Sequence, residues 1–215
     1  MGAVAGPLFV GAFTAIGART VGYDCRRHAV SSLANGRLGW LQLSNFIFTG
    51  LLYVLAASGL ASCPRRIVGS RAISALVGGA GLGLIGPGVF VTDPVGGFPP
   101  ASPEEQSAGT AQSATELSRT GALHNLCALP IFIGIPAAGL FGAAFFARNR
   151  EYLWAGYSAG SSLVMTGSFV LFGRSFGHAA RVAGNAGVFQ RISIATGFGW
   201  LSALSLRALS SLRQA

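Results

Sequence analysis

No lysine occurs in the chain of 215 residues; all 15 basic side chains are arginine. Acids are scarcer still, 6 in all, and charged residues make up only 10% of the sequence. Soluble domains carry about 25%, so this chain has too few charges to clothe a water-facing surface, and a soluble enzyme is excluded. Three cysteines, Cys25, Cys63 and Cys127, with no CxxC spacing, exclude a disulfide framework and leave at least one free thiol. The basic stretch that opens a secretory signal is missing, so the apolar N-terminus reads as a first membrane helix that stays in place. Gly6 stands where a myristoylation motif needs Ser or Thr. What is abundant is apolar: 51% hydrophobic residues, 32 glycines and a mean hydropathy of +0.57. That hydropathy excludes disorder. It also answers the net charge of +9 and the pI near 11.0, because a nucleic-acid partner needs a solvated basic face. A polytopic membrane protein is left.

A spanning helix needs about 20 mostly apolar residues, since the hydrocarbon layer is roughly 30 Å thick and each residue rises about 1.5 Å. Six stretches meet or approach that length, at about residues 3–18, 41–61, 67–92, 121–147, 153–172 and 188–206. The expected fold class is all-α: residues 1–215 as a single bundle of six transmembrane helices with long outward-facing loops. Gly86-Pro87-Gly88 interrupts the third stretch and Pro130 with Pro136 the fourth, so both should kink. Gly79 with Gly83, and Gly156 with Gly160, have the GxxxG spacing that lets helices approach closely, here within the bundle. No repeat relates the two halves.

Short loops at 62–66 and 148–152 alternate with long ones at 19–40, 93–120 and 173–187. The middle long loop is the polar, Ser/Ala/Gln-rich part of the chain and reads as flexible. Arg65, Arg66, Arg71, Arg148, Arg150, Arg207 and Arg213 crowd the short-loop side. Arg19, Arg26, Arg27, Arg37, Arg119, Arg174, Arg181 and Arg191 spread over the much longer opposite side. Arginine density sets orientation, so both termini are expected in the cytoplasm, with the long loops outside. An all-arginine, Gly/Ala-rich composition suits a high-GC bacterium, and the expected location is the bacterial plasma (inner) membrane.

All three histidines, His28, His124 and His178, and two aspartates, Asp24 and Asp93, fall on the long-loop side. Orientation was assigned without them, so a polar cluster at that face follows if the helices close as a ring. Asp24 and His28 are four apart, as are Arg174 and His178, and each pair would share a helical face. His124 lies about a turn inside its helix, where a polar group needs a partner, and Asn45 lies a turn inside the second. Zinc on the three histidines lacks any HxxxH or HExxH anchor, and no metal or cofactor is expected. A Ser31 or Ser32, His28 and Asp24 triad is possible in composition only, without a GxSxG elbow. General acid–base chemistry is more economical: Asp24 and Asp93 as proton donor or base, His28 and His124 as partners. Arg27 and Arg174 would hold an anionic head group by forked hydrogen bonds, with Ser31, Asn45 and His178 completing the substrate contacts. Each residue also has a structural reading: a helix stop at Asp93-Pro94, or an interhelical bond for His124.

The segments GYDCRRHAVSSLANGRLGWLQLSNFIFTGLL, GLIGPGVFVTDPVGGFPP, TGALHNL and GVFQRISIATGFGW together resemble the bacterial and archaeal six-helix membrane family called domain of unknown function 998. The similarity runs from about Gly6 to Arg207, and Asp24, His28, Ser31, Ser32, Asp93, His124, Gln190 and Arg191 match its motifs. Ala29 stands where the family commonly has proline. The resemblance implies a fold and a topology, not an activity. One-sided Ser, Asp and His are similar in type to membrane hydrolases related to alkaline ceramidases, and to small membrane terpene cyclases that protonate an isoprenoid. The expectation is a membrane-embedded enzyme doing acid–base chemistry on a lipid or isoprenoid-like substrate in an outward polar pocket. The alternative is a non-catalytic accessory protein or small transporter whose polar cluster only holds the loops together.

Overall fold

The structure is a computed structural model and describes residues 1–64, 69, 71–100, 117–175 and 184–213. Six helices follow one another: α1 (Gly2–Arg19), α2 (Gly39–Ser62), α3 (Arg71–Val89), α4 (Arg119–Arg148), α5 (Tyr152–Arg174) and α6 (Ala186–Arg213). Among the described residues there is no β-strand, and the first long loop carries a 3₁₀ turn at Ser31–Asn35. Five of the helices are long and apolar enough to cross a membrane. α5 is less apolar because the face it packs inward is Ser158, Ser161, Ser162 and Met165. Its 23 residues still rise about 34 Å. Each helix turns a leucine outward (Leu8, Leu51, Leu82, Leu140, Leu163 and Leu206). Such an all-round apolar exterior is one that only lipid can cover. Trp40 and Tyr152 stand exposed at opposite ends of the bundle, at the level of the two membrane interfaces.

The helices form a ring in chain order. Each packs on its neighbours in sequence, and α6 returns to close against α1. Phe9, Phe13, Tyr53, Phe146, Phe198 and Trp200 fill the interior. Glycine sets the closest approaches. A Cβ on Gly50 would sit 2.6 Å from the Gly81 carbonyl oxygen, and one on Gly81 would sit 2.8 Å from that of Gly50, so α2 and α3 cross backbone against backbone. Among the described residues Gly83 alone of the GxxxG glycines is used this way, against Cys127 and Pro130 of α4; a Cβ on Gly79, Gly156 or Gly160 would meet nothing within 4 Å. Spacing alone does not say which face of a helix meets a partner.

The expected kink in α4 is a π turn, Pro130–Gly134, between the halves Arg119–Leu129 and Ile135–Arg148. Pro130 cannot donate to the preceding turn, and one extra residue per turn absorbs the mismatch. α3 ends at Val89 rather than near residue 92, just beyond Gly86-Pro87-Gly88. α6 runs seven residues past the expected 206 because its extension is anchored. Arg207 pairs with Glu151 at 2.7 Å and lies over the rings of Phe146 and Trp154 at 4.8 and 5.1 Å.

Candidate functional site

The ring encloses a cavity of about 620 Å³ at its long-loop half, to which all six helices contribute. Its wall is apolar, with Phe9, Phe46, Phe132, Phe169, Phe172 and Phe198 the largest side chains. At its long-loop end stand Ser31, Thr92, Asp93, Ser118, His124, Asn125 and Gln190. An apolar cavity with a few convergent polar groups at one end is the usual form of a small-molecule site.

Two of these groups are fixed where α3 gives way to α4. Asp93 accepts two hydrogen bonds from Ser118, from its hydroxyl at 2.5 Å and its backbone N–H at 3.0 Å. Ser118 in turn caps α4 by accepting from the Gly121 N–H at 3.0 Å. The Asp93 carboxylate occupies the space a side chain on Gly121 would fill. One turn further along α4, His124 reaches back to the residue that follows α3, its Nδ1 lying 2.8 Å from the Phe90 carbonyl oxygen. A carbonyl only accepts, so Nδ1 carries the proton and Nε2 is left as the basic nitrogen. The Gly-x-x-His start of α4 thus has a physical basis: glycine admits the aspartate and the histidine stands one turn deeper. Gln190 is held on the opposite wall, its Oε1 accepting from the Val30 N–H at 2.6 Å.

The other predicted residues lie elsewhere. Asp24 and His28 belong to a knot in the first loop, outside the cavity wall. The Asp24 N–H donates to His28 Nδ1 at 2.9 Å, and the His28 ring also bonds to the backbone of Gly96. The Asp24 side chain is exposed and accepts from the Arg26 N–H. Arg191 of α6 ties the knot together. It donates to the carbonyls of Cys25, Gly187 and His28 at 2.6, 3.1 and 3.3 Å and to the Tyr23 hydroxyl at 2.6 Å. Its guanidinium lies over the Phe13 and Tyr23 rings. Phe98 packs on His28 and Tyr23 with ring centroids 5.3 Å away in each case. Burial lowers the His28 pKa below the ordinary 6.5, against the Gly96 bond and the Asp24 charge, and burial raises that of Tyr23 against the Arg191 charge.

Arg27 and Arg174 are exposed on the long-loop side, away from the cavity wall. Asn45 bridges α2 to α1, donating to the Phe9 carbonyl at 3.2 Å. Ser31 is on the cavity wall. His178 lies outside the described residues, as do Arg65, Arg66 and Arg181. Among the described residues no three His, Cys, Asp or Glu side chains converge as metal ligands. Sequence reasoning gave no site role to Ser118 and Asn125, two common polar residues in an unremarkable stretch. Gln190 and Arg191 carried a signal in the Phe-Gln-Arg motif, without a role attached to it.

Apolar helices, lipid-facing leucines and a closed ring around a cavity make this a multi-pass integral membrane protein. Its model matched over residues 3–207, the chain belongs to the DUF998 family, proteins of unknown function. No curated protein and no solved structure matches it.

Proposed function

We propose that the cavity is a site of acid–base chemistry on a lipid or isoprenoid-like substrate, and that Asp93 and His124 are its working pair. The observation that carries this reading is the cavity's asymmetry: six phenylalanines along the wall and the polar groups gathered at one end. A chain-bearing molecule with one polar end matches both parts. His124 is the proton carrier, because the bond to Phe90 fixes its tautomer and leaves Nε2 to accept or return a proton. Asp93 positions the start of α4 and supplies negative charge beside it. Asn125, exposed and on the cavity wall, offers a neutral amide to the substrate's polar end. Exposed Arg27 and Arg174 draw an anionic head group towards this face. The chain sits in a bacterial plasma membrane with the long loops outward and both termini in the cytoplasm.

The test is conversion. Protein reconstituted in vesicles is incubated with a bacterial lipid extract and with polyprenyl phosphates, and products are read by mass spectrometry. The expected result is one substrate class consumed by the wild type and spared by His124→Gln. Binding without conversion, equal in wild type and His124→Gln, would favour the accessory-protein or transporter reading.

A further inference from the structure

The ring is not packed alike all round. α4 packs on α3 along its whole length, whereas among the described residues it packs on α5 chiefly through the π turn and the half Ile135–Arg148. Antiparallel pairing of the two helices can be followed upward towards the long-loop face. Phe146 meets Trp154, the Ser162 hydroxyl donates to the Pro136 carbonyl at 3.0 Å, and Phe132 stacks on Phe169 at 4.0 Å with the rings 9° from parallel. Phe132 belongs to the π turn, and beyond it towards the long-loop face α4 keeps its packing on α3 but not on α5. The next level in this register is Leu129 on α4 and Phe172 on α5. Both line the cavity, and Leu129 is 45% exposed and shares a helical face with two still more exposed side chains. A side chain that faces cavity and exterior at once marks a mouth. Leu126 and Ile133, one turn either side, are each 61% exposed. The mouth is therefore rimmed by apolar groups within the span of a membrane helix, where the surrounding medium is lipid.

We infer that the seam between Arg119–Leu129 and the end of α5 is a lateral portal through which one hydrocarbon chain of a bilayer lipid reaches the cavity. This deepens the function proposed above and rests on it only for the chemistry, not for access. The occupant is a membrane amphiphile rather than a solute from water. The mouth is apolar, the wall is phenylalanine, and the polar groups stand at the end nearest the membrane surface. A cavity of about 620 Å³ is the size that takes a drug-sized ligand. One chain therefore enters while the rest of the molecule stays in the leaflet or lies against His124, Asn125 and Asp93. The π turn is the device that makes the opening: a straight α4 would carry its first half up against α5 as well.

The whole chain, reconstituted in nanodiscs containing a phosphatidylglycerol with a diazirine near the end of one acyl chain, is illuminated, and labelled peptides are mapped by mass spectrometry. Label on the interior residues Phe132, Ile194 and Phe198 is the expected result. Leu129→Trp should reduce interior label by roughly tenfold, the effect of one overpacked side chain, while label on outward Leu140 and Leu163 is unchanged. Leu129→Ala should keep or raise it, so loss with Trp cannot be ascribed to a damaged fold. Label confined to outward-facing residues overturns the portal, as does interior label indifferent to Leu129→Trp, or a seam crosslinked to a second copy of the chain. The wild type separates the two readings: interior label without conversion of any substrate class leaves the portal standing and removes the chemistry.

Discussion

Two regions of the long-loop face contain an aspartate and a histidine, and the two pairs are built in opposite senses. In the first-loop knot, His28 Nδ1 accepts from the Asp24 N–H. At the cavity, His124 Nδ1 lies against the Phe90 carbonyl and donates. The first ring therefore keeps its proton on Nε2 and spends both nitrogens on backbone groups. The second uses one nitrogen to fix itself, on a ring that lines the cavity. The aspartates differ likewise, Asp24 exposed at a turn and Asp93 enclosed by the start of α4. Residue type does not separate a pair folded into a loop from one on the cavity wall; the destination of each hydrogen bond does.

The contrast can be broken in order of effect. His124→Gln should lower conversion by about 10²–10⁴-fold, the usual worth of general acid–base catalysis, with the melting temperature little changed. His28→Ala should do the reverse, and equal losses of conversion from both variants would erase the distinction. Arg191→Ala removes four hydrogen bonds that hold the knot. It should cost about 3 kcal/mol, since bonds to a charged donor are each worth roughly 1.5–3 kcal/mol and share one side chain. Thermal unfolding in detergent measures this, and Arg191→Lys should recover only part because an ammonium lacks the planar fork. Gly121→Ala pushes a methyl into the Asp93 carboxylate and should cost about 1–3 kcal/mol, with hydrogen exchange faster at the start of α4 than in the knot.

The smallest effect is a pH dependence confined to the knot. The folded pKa of His28 lies below the ordinary 6.5. The unfolded chain therefore binds the proton more readily, and stability is full above pH 6.5 and lost as pH falls through the folded value. Hydrogen-exchange protection at Tyr23–Val30, relative to the intrinsic rate at each pH, should fall between pH 7.5 and 5.5 while that at the start of α4 is steady. An unchanged knot would mean that the bond to Asp24 does not depend on a neutral ring.

Most of the fold was legible because a membrane demands long apolar runs, and such runs are read directly from residues such as those of α2 and α3. Helix ends were less legible where anchoring outweighs hydropathy, as at Arg207 in α6. Pro130 announced a disturbance in α4 but not its form, since proline, kink and π turn share one sequence signal. Asp93 and His124 were found as candidates because ionisable groups near a membrane are few. Their separation from Asp24 and His28 was hidden, because it depends on contacts across 25 residues or more, such as Ser118 to Asp93. The arginine excess on the long-loop side has a part-explanation in Arg191, which serves backbone carbonyls rather than an anion.

Closure of the ring by α6 fixes when the cavity comes into being. Gln190, Ile194 and Phe198 form one wall of it, and Arg191 secures the first loop. During synthesis the N-terminal helices emerge first, so α1 to α5 precede the element that completes them. Until α6 arrives the nascent protein is an open crescent with its first loop unfastened and no enclosed chamber. Chamber and clasp appear together in the last step of assembly, so until then Asp93 and His124 stand on an open groove rather than in a chamber.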